Sequence, residues 1–370
     1  MQSKPRMPLF LLSLALLVMC GMLICLLPHR SFSELENRTL TEWPDPSGFS
    51  LTDGSWGEKV ESYAADHFPL RDALISGRSL LRLLAGDRYQ TDTLAGRDGW
   101  LFETPPDALN RNATRSVETL SAISEGLHLP GYLMIIPTSA EILPENLPAL
   151  YTCGRQSTVL TALSQSAGAL QWVSSTLPEH AGNGTLYYRT DHHLTADGAA
   201  LCYWALCDAL SIAPQTGRRV TVPGFRGSYF AQVPSPSIAS EDFSADLPEG
   251  VSVTLDGEMA EGFLNAELLE KRNKYAALLG GTYAHAVLEN PQGEGRLLIL
   301  CDSYANAIAP MLSASYARID LVDPRYFSGD LAALAQEAQP NAMLAIFGLN
   351  TLTTNRSILL MDIPERSTVE

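Results

Sequence analysis

An acid, two imidazoles and an alcohol stand at positions where they could carry out acyl chemistry. The run Thr190-Asp191-His192-His193-Leu194-Thr195 sets a carboxylate two residues ahead of a histidine, and Ser303 follows the apolar run Arg296-Leu297-Leu298-Ile299-Leu300. In an extended segment, residues i and i+2 share a face roughly 6.5 Å apart, so Asp191 can bind one nitrogen of His193 while the other faces a serine. His192 then points the opposite way. Free serine is a weak nucleophile, and a base oriented by a carboxylate raises its reactivity. In this reading Asp191 orients, His193 is the base and Ser303 is the nucleophile. Plainer readings stay open: Ser303 could simply cap a helix, and the Asp-His-His run could be polar loop or a metal site, although no second cluster has zinc or iron spacing.

Such a serine needs a rigid mount. The run 296–300 is continuously apolar, as expected of a strand buried on both faces, and Cys301-Asp302-Ser303 lies at its carboxyl end, the edge where open α/β sheets bind ligands. Free N–H groups at the start of the following helix can stabilise an oxyanion, which makes the Ser303 N–H a natural donor. Gly280-Gly281 could bring a second backbone N–H close, because glycine lacks a Cβ. Asn306 and Asn350 are further candidate donors with ordinary turn or capping roles as alternatives; Tyr304 either lines the pocket or packs, and Asp302 reads as structural.

Helix and strand patterns alternate around these residues. Helices are expected at 116–127, 156–167, 196–212, 304–313 and 330–338, and strands at 132–136, 296–300, 318–322 and 342–347. Thr195 is placed to cap the third helix, so the histidines lie just before it. Such alternation implies a mainly parallel sheet covered by helices on both faces. Residues 213–288 differ, being rich in Pro, Gly, Ser and acids with short β patterns at 220–222 and 251–255, and read as an insertion over or beside the sheet.

Ahead of this domain, residues 8–27 carry no charge and, at 1.5 Å per residue, can span a hydrocarbon core of about 30 Å. Lys4 and Arg6 precede the run, which lacks a small-residue cleavage site at its end. It reads as an uncleaved anchor with the bulk of the chain outside the cytoplasm, a single-pass protein of the cell membrane. The expected organisation is an anchor at 1–28, a stalk and juxtamembrane helices near 58–65 and 71–85 within 29–95, the main domain at 96–356 with its insertion at 213–288, and a tail at 357–370. Of six cysteines, Cys20 and Cys25 fall in the anchor, and Cys202 and Cys207 would point about 140° apart on a helix, which makes a mutual disulfide unfavourable. With Cys153 and Cys301 remote in sequence, no disulfide framework or cysteine metal site emerges. A net charge of −16 argues against nucleic acid as a partner. Neither a cofactor nor a metal is expected.

Five segments, in this order, carry a resemblance: Ser33-Glu34-Leu35-Glu36-Asn37-Arg38, Gly96-Arg97-Asp98-Gly99-Trp100-Leu101-Phe102, Pro137-Thr138-Ser139-Ala140-Glu141-Ile142-Leu143-Pro144, the Asp-His-His segment, and Asp302-Ser303-Tyr304-Ala305-Asn306. Together they resemble the bacterial DHHW family, which is similar to the SGNH-like alginate O-acetyltransferase proteins. The resemblance implies an SGNH-hydrolase-like three-layer α/β fold, membrane attachment, and a triad of Asp191, His193 and Ser303. It also implies a serine O-acetyltransferase acting on a cell-surface polysaccharide, with a multispanning membrane-bound O-acyltransferase as the partner that delivers the acyl group. Leu194 departs from the eponymous tryptophan, which leaves the role of that position open. A carbohydrate esterase with the same triad and a non-catalytic polysaccharide-binding or scaffold protein are the alternatives.

Overall fold

The computed structural model describes residues 7–45, 54–104, 109–149, 151 and 156–362. Lys4, Arg6, Cys153 and residues 363–370 of the expected tail lie outside these. The chain divides into two compact units, Met1–Asp87 with Val233–Ser237, and Arg88–Gln232 with Ile238–Glu370.

The second unit is built on a sheet that, among the described residues, has eight strands. Five of them run parallel, in the order Arg318–Val322, Arg296–Cys301, Ala342–Gly348, Gly131–Ile136 and Gln171–Val173. The apolar runs in these strands sort by parity, since successive side chains of a strand point to opposite faces. Leu297, Ile299 and Cys301 join Met134 and Ile136 in the core on one face, whereas Leu298 and Leu300 join Leu133 and Ile135 in the core on the other. Helix Ala196–Leu210 covers the first face; Arg111–Gly126, Gln156–Gln165 and Leu331–Ala338 cover the second. Full burial of one such leucine is worth about 1.5–3 kcal/mol, so this double layer firmly holds the strand that leads to Ser303.

The expected strands and most expected helices form, with three corrections. The helix expected at 304–313 is two short pieces, a 3-10 turn Ser303–Ala307 and an α turn Ala309–Leu312. Pro310 lacks the N–H that a continuous ladder needs at that point. The insertion does not merely lie over or beside the sheet: Ser252–Leu255, Glu258–Met259 and His285–Glu289 extend it antiparallel, the last pairing with Arg318–Val322. A separate hairpin of Arg218–Phe225 and Glu241–Leu247 also forms within it. Helix Arg111–Gly126 begins before 116 because the Asn110 side chain accepts from the Ala113 N–H (2.9 Å) and caps it.

In the first unit, the segment expected as a stalk folds onto its own helices. A small hairpin pairs Phe32–Ser33 with Arg38–Thr39, followed by helices Ser55–Asp66 and Arg71–Leu84. Arg38 pairs with the buried Asp66, which also accepts from the Thr41 N–H (2.8 Å) and hydroxyl (2.9 Å), and Arg71 pairs with Glu36. The Arg38 guanidinium, against the opposing cost of burial, holds the Asp66 carboxyl well below its usual range. A helix runs over Met7–Leu26. Among the described residues, however, no helix is long and apolar enough to cross a membrane. Cys202, Cys207 and Cys301 are buried free thiols.

Candidate active site

The chain reverses between Tyr187 and Leu194, which form an isolated antiparallel bridge, and the Tyr188 N–H donates to the His193 carbonyl (3.2 Å). Asp191 to His193 are bends inside this reversal and not the extended segment expected from their spacing. The reason is local: one Asp191 carboxylate oxygen accepts from the backbone N–H of His193 (3.0 Å), an Asx-turn that tightens the chain. The same oxygen accepts from His193 Nδ1 (2.5 Å), and His193 Nε2 lies 2.8 Å from Ser303 Oγ. The expected connection of acid, imidazole and alcohol is therefore present, reached through a turn. It also displaces the expectation for His192, whose ring does not point away but lies 3.7 Å from that of His193, centroid to centroid.

Each member is fixed from behind. The second Asp191 oxygen accepts from the Ser228 N–H (2.6 Å), and Gly227 lies so close that a Cβ there would sit 2.2 Å from the carboxylate. Burial opposes charge on Asp191, but His193, His192 and the Ser228 N–H outweigh it and hold the carboxyl well below its usual range. Tyr275 stacks on His193 at 3.6 Å with an interplanar angle of 8°, and its hydroxyl donates to the Ser303 carbonyl (2.8 Å). Sequence reasoning missed Gly227, Ser228 and Tyr275; in the insertion they read as turn and core residues, and nothing in their spacing ties them to a distant histidine.

Ser303 opens its 3-10 turn at the carboxyl end of strand Arg296–Cys301, so its N–H precedes the first bond of that turn and suits an oxyanion. Asp302 is structural, as expected: it accepts from the N–H groups of Tyr304 (3.0 Å) and Gly348 (2.8 Å), tying the serine's turn to the next strand. Tyr304 lies at the site, its hydroxyl donating to the His192 carbonyl (2.9 Å). Asn306 is buried; its Oδ1 accepts from Tyr283 (2.8 Å), while its Nδ2 has no hydrogen-bond partner among the described residues. Gly280 and Gly281 both have positive φ, but the Gly281 N–H is engaged by the Leu278 carbonyl (2.9 Å), so it is not an available oxyanion donor. Gly280 lines an opening with Leu255, Met259 and Leu264. Leu194 is 1% exposed and packs in the core, which settles its position as a packing contact.

Asp191, His192 and His193 offer ligand atoms within 4.8 Å of one another, the spacing of a possible metal site. Yet the Asp191 oxygens and both His193 nitrogens already serve hydrogen bonds to Ser228, each other and Ser303. These hydrogen bonds join the acid, the imidazole and the alcohol in one series.

Comparison with known proteins bears on the fold that carries this geometry. Residues 93–222, which include Asp191 and His193, match the model of the SGNH hydrolase-like domain of the acetyltransferase AlgX. The chain is similar in structure to a DHHW family protein from Eubacterium siraeum, at 18% identity and a TM-score of 0.61, over 75% of this chain and 99% of that one. It is also similar to PatB1 of Bacillus cereus, solved with a sulfonyl adduct, at 20% identity and a TM-score of 0.60, over 73% and 98% of the two chains. Comparison with curated proteins gives no match. The resemblance seen in the five sequence segments thus extends to the fold. The class is that of an SGNH-like enzyme, an acyltransferase or esterase.

Proposed function

We propose that this chain is a membrane-anchored, extracytoplasmic O-acyltransferase that uses Ser303 as nucleophile to acetylate hydroxyls of a cell-surface polysaccharide. The observation that carries the reading is the unbroken series from Asp191 through His193 Nδ1 and Nε2 to Ser303 Oγ, at 2.5 and 2.8 Å. As Ser303 Oγ attacks the donor carbonyl, its proton passes to His193 Nε2. The donor's leaving group takes that proton as its bond to the acyl carbon breaks. A sugar hydroxyl then attacks the acyl-serine, gives its proton to His193, and Ser303 recovers it as the ester departs. Asp191 holds the imidazole in one tautomer and stabilises its cation.

Acetyl as the group follows the acetyltransferase named in the matched domain, and polysaccharide as acceptor follows the resemblance carried by the five sequence segments. The uncharged helix Met7–Leu26 supports tethering. A multispanning O-acyltransferase as acyl supplier follows from the resemblance, and tethering would raise the local concentration of such a partner. The test is full-length protein in detergent, mixed with an aryl acetate. A burst of phenol with acetyl on Ser303 by mass spectrometry is expected, and its absence sinks the reading. Supplying oligosaccharide then separates transferase from esterase: acetylated sugar marks the former, free acetate alone the latter.

A further inference from the structure

The helix Arg71–Leu84 is amphipathic, but its apolar side is turned outward. At 3.6 residues per turn, Leu74, Leu81 and Leu84 fall within about 80° of one another. They are 57%, 67% and 75% exposed, whereas Ser79 stands opposite and is buried. A surface helix ordinarily turns its apolar stripe to the core. Here ion pairs hold the reversed orientation: Arg71 pairs with Glu36, and Asp72 accepts from Arg30 (2.7 Å). Leu70, just before the first turn, is 80% exposed and takes a left-handed backbone (φ 60°) that is uncommon for leucine. A contiguous row of exposed leucines marks a surface that something apolar covers.

Two observations name the cover. The first is continuity. A cavity of about 330 Å³ lies where Met7–Leu26 ends and Arg71–Leu84 begins, and its apolar lining combines Ile24 and Leu27 with Phe68 and Leu70. With the uncharged helix in a bilayer, Leu27 marks the lipid boundary and Leu70 stands beside it. The second is charge. In a chain of net charge −16, this helix carries three arginines against one aspartate. Its exposed leucine face holds no carboxylate, and Arg78 is exposed at the edge of that face. Leucines on one side with a cation at their border suit a helix lying in a membrane interface. We infer that Arg71–Leu84 lies flat on the outer bilayer surface, with Leu70, Leu74, Leu81 and Leu84 seated about 5–10 Å into the boundary between headgroups and acyl chains. The lipid is zwitterionic, since anionic headgroups would meet the chain's net negative charge. This inference rests on the proposed anchoring and deepens it: a single helix through a membrane leaves its unit free to rotate about the helix axis, and a second helix seated on the surface stops that rotation.

The experiment places a tryptophan at each end of the stripe, as Leu74→Trp and as Leu84→Trp, in the full-length chain reconstituted into phosphatidylcholine vesicles. Both positions are open, so an indole fits without repacking, and the wild type's five tryptophans give the background. Phosphatidylcholine brominated high on its acyl chain is expected to quench the added emission to the same extent at both positions, and lipid brominated near the chain end to quench it less. Quenching at Leu74→Trp that is lost at Leu84→Trp, about 15 Å further along the axis, overturns the flat orientation. Absence of quenching at both positions, in a chain that resists extraction by alkaline carbonate, overturns the bilayer as the cover and leaves the anchor standing. A chain that carbonate extracts overturns the anchor, and this inference with it.

Discussion

Asp191 and Glu103 are both carboxyl groups beside the same pair of histidines, and their surroundings drive them apart. Asp191 sits in a tight turn where two backbone N–H groups and the His193 ring converge on it, so that burial is overcome and the carboxylate stays ionised. Glu103 ends a strand and, among the described residues, is met by the side chains of Asn350 and Tyr229; burial dominates and pushes its carboxyl above the ordinary value of 4.5. The contrast shows that donors fixed by the backbone, more than proximity to an imidazole, decide which acid can serve as a permanent charge.

Removing the oriented charge should give the largest effect. Asp191→Ala is expected to slow Ser303 acetylation by about 10³–10⁴, with little further loss when His193→Ala is added, because the residues act as one unit. Rapid-quench measurement of the aryl acetate burst checks this; additive losses would break the idea of a unit. Next comes the turn that holds the charge. Gly227→Ala forces a methyl into the carboxylate, and overpacking of this kind costs about 1–3 kcal/mol, visible as a lower Tm together with a weaker burst. Tyr275→Phe keeps the ring on His193 but removes the hydrogen bond to the Ser303 carbonyl, worth about 0.5–1.5 kcal/mol, so a several-fold loss in kcat is expected.

The smallest effect concerns stability and carries the opposite sign for the two acids. A carboxyl whose folded value is raised loses stability as pH climbs through that value, so Glu103→Gln should raise Tm at pH 7 and converge with wild type at about pH 4. Asp191, whose value is depressed, contributes stability above its ordinary 3.8 that disappears as pH falls further, so Asp191→Asn should lower Tm at neutral pH and approach wild type in acid. Thermal melts from about pH 2 to about pH 8 decide, since the Asp191 window lies below its ordinary 3.8; parallel shifts of the same sign in both variants would erase the distinction.

The parallel half of the sheet could be read from the chain because strands buried on both faces are written as continuous apolar runs, and the Arg296–Cys301 run leads directly to Ser303. The Asp191 and His193 pair was found from spacing that assumed a strand, whereas an Asx-turn brings them together; i and i+2 meet in both geometries, so the pairing emerged although the conformation differed. Of the insertion's edge strands, 251–255 was legible as a short β pattern but not as part of the main sheet, and His285–Glu289 escaped notice because its partners lie about thirty positions away and short, half-exposed strands leave a weak pattern. Glu103 was invisible for a related reason, since a glutamate at the end of a strand ordinarily marks the exit to water. Only the meeting of Leu101–Glu103 with the helix Ser228–Gln232 places it at the histidines.

Tyr275 belongs to the insertion, as do Gly227, Ser228 and Tyr229, yet it lies flat on His193 and grips the carbonyl of Ser303. The insertion is therefore a wall of the candidate site. A chimera that trimmed it or borrowed one from another protein would keep acid, base and alcohol in sequence, and lose the surface that makes them meet.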